Sequence, residues 1–227
     1  METAVCIVAY NEENYIKKAI KQFSGLVDKV LVMLSQVPWG GVPEEPDRTY
    51  DIAESLGAEV ITGFWKTEAD QRNEGQQRLK DYDWILIVDV DEFYAKEDIK
   101  KLLKFLETAK AQAYGITNLE VYWKTPQCVI RPQSRGGLII AVKSGIRFLD
   151  KRNVGSGWEW LPKDITLHHW SYVRTDEEML KKITTFEHRD EIVLNWYQEK
   201  WLGWTSEMEN LHPVNPVEFK KAVCLSE

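Results

Sequence analysis

Apolar and polar positions follow one another in two rhythms along the first half of this chain. "TAVCIVAY", from Thr3, is near-continuous apolar text, the mark of a strand covered on both faces. It stops at Asn11, a residue suited to capping a helix, and Glu12 and Glu13 suit the positive end of a helix dipole. Ile16, Ala19, Ile20 and Phe23 then recur at helical spacing until Ser24-Gly25 supplies a stop. "KVLVML" predicts a second strand and "SQVPWGGVPEEP" (35–46) a loop. Asp47 is placed to cap a helix over "RTYDIAESL" that ends at Gly57, and "AEVIT" predicts a third strand. After Phe64 and Trp65, "EADQRNEGQQRLKDY" reads as a helix and "DWILIVDVDEF" as a fourth strand. A further helix over 98–110 carries Ile99, Leu102, Leu103 and Leu106 on one face. This alternation predicts βαβ units around a mostly parallel sheet flanked by helices.

From Gly115 the text turns β-rich: "YGITNLEVYW", "QCVIRP", "GLIIAVKSGIRFL" and "DITLHHWSYV". An amphipathic helix is predicted over 176–188, with more helical, tryptophan-bearing sequence after it. The shift comes without a linker. Residues 1–115 and 116–227 therefore read as two halves of one domain that share one sheet.

Length and charge narrow the function. A chain of 227 residues can bury a sizeable core. With 29 basic against 36 acidic residues, net charge −7, nucleic acid is not expected as its main partner. No segment approaches the roughly 18 consecutive apolar residues of a membrane span. Cys6, Cys128 and Cys224 are odd in number and far apart, so reduced, mostly buried thiols and a cytoplasmic setting are expected. Six of the ten tryptophans fall in the last third, and those from Trp196 onward sit at spacings that suit a helix face in the core or at a subunit contact.

The candidate chemistry begins where the fourth strand runs five apolar residues into Asp89, Asp91 and Glu92. Residues two apart on a strand face the same way, so Asp89 and Asp91 are predicted to point together. Two such carboxylates repel unless a cation lies between them, and a hard ion, Mn²⁺ or Mg²⁺, prefers carboxylate oxygens and leaves room for phosphates. In open α/β sheets ligands bind at the carboxyl ends of strands, where these acids stand. There is no GxxxxGK[ST] loop, no GxGxxG opening a helix and no GxSxG elbow.

In order, "AVCIVAYNEENYIKKAI", "DRTYDIAESLGAEVI", "QRNEG" and "DWILIVDVDEF" resemble family-two-type glycosyltransferases of the GT-A fold, over roughly residues 3 to 95, with a weaker echo in "LHHWSYVRTDEEMLKK". The resemblance implies a GT-A-like, Rossmann-like fold and a nucleotide-sugar donor, a UDP-sugar first among them, whose diphosphate is bridged by Mn²⁺ or Mg²⁺ to the D-x-D acids. It implies Asp91 as a metal ligand, and Asp89, across Val90, on the ribose or a metal-bound water. Ala9, Tyr10, Asn11 and Glu12 would line base and ribose. The acid usual after the second strand is missing from "VLVMLSQV", which leaves Asp70 or Arg72 as substitutes for that contact.

His168 and His169 point to opposite sides of any strand, so one of them can join the site. In the similar family text the histidine before an aromatic residue is the third metal ligand, which implies His169, with His168 as the alternative. Lys143, Arg147, Lys151, Arg152 and Arg174 join Arg72 as candidate cations for a departing diphosphate. Transfer with inversion to an acceptor hydroxyl also needs a base. Glu159 in "GSGWEWLP", between tryptophans on which a sugar ring can stack, is the candidate, and Asp150 the runner-up. A sugar-binding module without catalysis and a metal-dependent nucleotidyltransferase are the competing readings.

Overall fold

The computed structural model describes residues 1–40 and 42–225; Gly41, inside the 35–46 loop, lies outside them. In chain order the elements are β1 (Thr3–Ala9), α1 (Glu13–Lys21), β2 (Lys29–Ser35), α2 (Thr49–Ser55), β3 (Glu59–Gly63), α3 (Glu68–Arg78), β4 (Trp84–Asp89), β5 (Glu92–Phe93) and α4 (Lys96–Leu106). There follow β6 (Ala113–Gly115), β7 (Asn118–Trp123), β8 (Thr125–Arg131), β9 (Ser134–Arg135), β10 (Ile139–Lys143), β11 (Trp158–Trp160), β12 (Thr166–Tyr172), α5 (Asp176–Thr185) and β13 (Lys221–Cys224). No helix among the described residues is long and apolar enough to cross a membrane.

The parallel core is the one the apolar runs announce. The first sheet has the order β11-β6-β10-β4-β1-β2-β3, and β3, β2, β1 and β4 are parallel. β1 is buried throughout, and so are five of the six residues of β4, because helices cover both faces. One close approach fixes α3 against it: a Cβ at Gly75 would stand 2.5 Å from Cys6 Sγ, so only glycine lets that helix lie on β1. Burial pushes the Cys6 thiol up to about 12.

Two expectations are corrected here. The halves do share the first sheet, since β10 runs antiparallel to β4 and carries β6 and β11 beyond it. The second half also builds a sheet of its own, β13-β8-β7-β12-β5 with β9 on β7, whose one strand from the first half is the two-residue β5. "YGITNLEVYW" is therefore not one strand, because β6 and β7 belong to different sheets. The cysteines are not all reduced: Cys128 and Cys224 stand opposite one another in the antiparallel β8–β13 register and are disulfide-bonded, 96 residues apart in sequence. Sequence distance says nothing of that proximity.

The late tryptophans belong to the core. Trp123, Trp196 and Trp201 are fully buried and meet edge-on or stacked, with ring centroids 5.3 to 6.2 Å apart. His212 seals this cluster, 4.5 Å from the Phe219 ring, and its Nδ1 accepts from the N–H groups of Val214 and Asn215. Burial lowers its pKa to about 4, so the folded protein holds it neutral. A depressed value gives stability that is present above the ordinary value near 6.5 and is lost as pH falls toward 4, about 3 kcal/mol in all. The melting temperature is expected to drop across that window, and the drop should flatten in His212→Gln; equal slopes for the two proteins would contradict it.

Candidate active site

The site lies at the carboxyl ends of β1 and β4. As β1 ends, Asn11 turns to φ 47° and does not cap α1. Its amide instead donates to the Glu45 carbonyl and accepts from Asp47 N–H, which ties the strand end to the 44–47 loop. The first N–H groups of α1 are met from that loop: Glu12 N–H donates to Thr49 Oγ1 at 2.7 Å and Glu13 N–H to the Asp47 carboxylate at 2.9 Å. Tyr10 Oη accepts from Glu44 N–H. Glu12 is left free to receive a bidentate pair from Arg174, at 2.7 and 3.0 Å.

β4 ends at Asp89, and Val90-Asp91 is the turn that passes the chain from the first sheet to β5 of the second. Glu92 is 1% exposed; its Oε2 accepts from Asp89 N–H at 2.9 Å and from Arg152 at 2.5 Å. Asp89 Oδ1 takes Arg72 at 2.7 Å and Arg152 at 3.0 Å. Burial opposes ionisation of Asp89, but the two guanidinium groups outweigh it and hold the acid down at about 2. Arg72 also meets Glu68 at 2.6 Å. Arg72 Nε and Arg152 Nε and Nη1 are buried without hydrogen-bond partners among the described residues.

Asp91, 4% exposed, belongs to a second set of charges. Lys182 Nζ lies 2.7 Å and Arg174 Nη2 3.3 Å from its Oδ2, while His169 Nε2 lies 3.4 Å from its Oδ1. The histidine arrives through sheet pairing: His169 is opposite Glu92, and Trp170 N–H donates to the Asp91 carbonyl at 2.8 Å. Burial alone would raise the Asp91 pKa, yet Lys182, His169 and Arg174 bring it well below the ordinary value. Burial likewise works against a charged His169, and the bond to Asp91 overcomes it and raises that pKa. His168 points to the other side and bonds Tyr122 Oη at 2.8 Å.

These groups surround a cleft of about 240 Å³, lined by Ala9, Tyr10, Glu12, Val90 and both aspartates, with Trp39 and Phe186 as apolar walls. Among the described residues no group of three His, Cys, Asp or Glu stands ready to hold a metal. Asp91 Oδ1 and His169 Nε2 do fit two positions of one: neighbouring ligands of an octahedral ion stand roughly 3 Å apart, and such ions take one or two protein ligands with water and phosphate completing the shell. Asp89 gives one oxygen, Oδ1, to two arginines.

Other expected residues are elsewhere. Glu159 lies exposed on β11, the edge strand, and three ladder steps separate β11 from β4, on the order of 14 Å. Asp150 is exposed in a turn bridged to Asn153. Neither lines the cleft, so neither is placed to take an acceptor proton there. Thr67 caps α3, its Oγ1 accepting from Asp70 N–H, and Asp70 lines a different groove, with Arg147. Lys143 sits over the Trp84 ring and Lys151 bonds His188. Lys182 was missed. Its signal is its place in α5, three residues after the buried Met179 and one before the buried Ile183, on the flank of the inward face.

The family model of glycosyl transferase family 2 matches residues 44–154. An uncharacterized glycosyltransferase of Rickettsia bellii is 36% identical over 91 residues, 40% of this chain and 28% of that protein. One of Rickettsia typhi is 32% identical over 119 residues, 51% of this chain and 38% of that one. The family-model match takes in just under half of this chain. The chain's matches span well under half the length of these curated relatives. The fold is GT-A-like. S. aureus TarS 1–349 superposes with a TM-score of 0.52 at 14% identity, covering 81% of this chain and 63% of that one. GalNAc-T7, solved with UDP, GalNAc and Mn²⁺, gives a TM-score of 0.52 at 11% identity, covering 74% and 44%.

Proposed function

We propose that this chain transfers a sugar from a nucleoside-diphosphate sugar, a UDP-sugar first among the candidates, to an acceptor hydroxyl, with Mn²⁺ or Mg²⁺ at Asp91 and His169. The observation that carries the reading is the meeting of Asp91 Oδ1 and His169 Nε2 at 3.4 Å, beside Lys182 and Arg174, at the carboxyl ends of a parallel sheet. The family's name and the D-x-D acids agree with it. A divalent ion there would supply a Lewis acid for the negative charge that grows on a departing diphosphate.

The protein's own groups do the remainder. Arg174, fixed by Glu12, is a cation aimed at the same ground that needs no reorganisation to meet that charge, and Lys182 stands beside it. Asp89, about one-third exposed at the cleft and fixed through one oxygen, is suited to accept a ribose hydroxyl. Trp39 and Phe186 exclude water from one wall, which strengthens every charge interaction within.

The test is a calorimetric titration of the protein with UDP, with and without Mn²⁺, followed by turnover of radiolabelled UDP-sugars. Binding that requires the metal is the expected result. Equal binding without metal, or none with it, would defeat the reading.

A further inference from the structure

Lys182 stands where two cavities meet. The cleft over the acid turn and a neighbouring hollow of about 190 Å³ share Tyr10, Glu12, Lys182 and Thr185 as walls. The two cations on Asp91 Oδ2 differ in how firmly they are held. Arg174 is anchored twice over, by the bidentate pair to Glu12 and by the Ser171 carbonyl, and its side chain is 6% exposed. Lys182 has Asp91 as its one ion-pair partner among the described residues, and its side chain is 24% exposed on a flexible four-carbon stem. Arg174 is a fixture. Lys182 is free to leave.

Resting on the function proposed above, we infer that Lys182 is an exchangeable counter-ion: it neutralises Asp91 in the free protein and passes to the donor's diphosphate when a divalent ion takes Asp91. The charges require such an exchange. A metal ion arriving alone must displace an ammonium from its one ion-pair partner among the described residues, and two cations are then left near one another. A diphosphate arriving alone meets Lys182 already engaged, with the negative charge of Asp91 behind it. Arriving together, metal and diphosphate each provide the partner the other displaces. Binding of each is therefore strengthened by the other, and by the same factor.

Lys182→Met keeps the stem and removes the charge. Titration with Mn²⁺ alone, read by calorimetry and by the loss of the free-ion spin-resonance signal, is expected to show about tenfold tighter binding than wild type. UDP binding at saturating Mn²⁺ is expected to weaken about tenfold, so that the mutual strengthening of the two ligands shrinks. The opposite signs are the signature, since a purely structural lysine would weaken both. Unchanged or weaker Mn²⁺ binding in the variant, beside a wild type that binds UDP with Mn²⁺, overturns the exchange. A wild type that binds no UDP with Mn²⁺ defeats the function itself instead. If Lys182→Met fails to fold, the wild type decides alone: Mn²⁺ affinity that does not rise when UDP is present overturns the exchange.

Discussion

Asp91→Ala is expected to abolish metal-dependent UDP binding and to lower kcat/KM for sugar transfer by about 1,000-fold, the scale of losing a fixed charge partner of the reacting group. Three groups converge on this carboxylate: Lys182 and Arg174 on one oxygen and His169 on the other. The cost to folding should be smaller than the cost to function. Arg174 keeps Glu12, and Lys182 can swing toward solvent, so no cation is left both buried and alone. A melting curve close to wild type together with lost UDP binding is the expected pair of results. Retained Mn²⁺-dependent binding would remove Asp91 from the site.

Arg152→Met should do the reverse, costing about 3–5 kcal/mol of stability, the usual price of stripping the partner from a buried charge. Arg152 is 6% exposed and Glu92 1%, and their contact at 2.5 Å is the innermost ion pair of the acid turn. Asp89 keeps Arg72; Glu92 keeps only the Asp89 N–H and no cation. Burial already raises the Glu92 pKa despite Arg152. Without the arginine it rises further. A raised carboxylate gives stability that is present below its ordinary value and is lost as pH rises through the folded one, so the deficit of the variant should narrow toward pH 4. Denaturant midpoints at pH 4 and pH 7 measure both effects, and Glu92→Gln in the same chain should recover part of the loss. A deficit below about 1 kcal/mol at pH 7 would contradict this account.

The first half was legible because strands covered on both faces leave near-unbroken apolar text, and the intervening helices carry a clear period. The exits of β1 and β4 were legible for the same reason, since polar residues after such runs can stand only at strand ends. Asn11 misled because an Asn before acids reads as a cap, whereas the α1 N–H groups are met by Asp47 and Thr49 from a distant loop. The second sheet was hidden by its pairings: β12 runs parallel to β7 with 48 residues between Asn118 and its partner Thr166, and no local pattern encodes that choice. Glu159 drew notice from its glycines and tryptophans, yet β11 finds its partner at the far edge of the first sheet. Lys182 escaped because a lysine in a charged helix reads as solvated, and only the fold turns that flank toward Asp91.

The turn from Asp89 to Glu92 joins the two sheets, and this sets an order in time. Asp91 precedes Lys182 by 91 residues, Glu12 precedes Arg174 by 162, and Glu92 precedes Arg152 by 60. At about 5–20 residues per second, a ribosome delivers Lys182 roughly 5–20 seconds after Asp91. Arg72 is the one cation of the constellation made before the acid turn; Arg152 and Arg174 follow, and Lys182 comes last. The ion pairs of the acid turn are therefore completed only when α5 has been made, by charge that arrives late in synthesis.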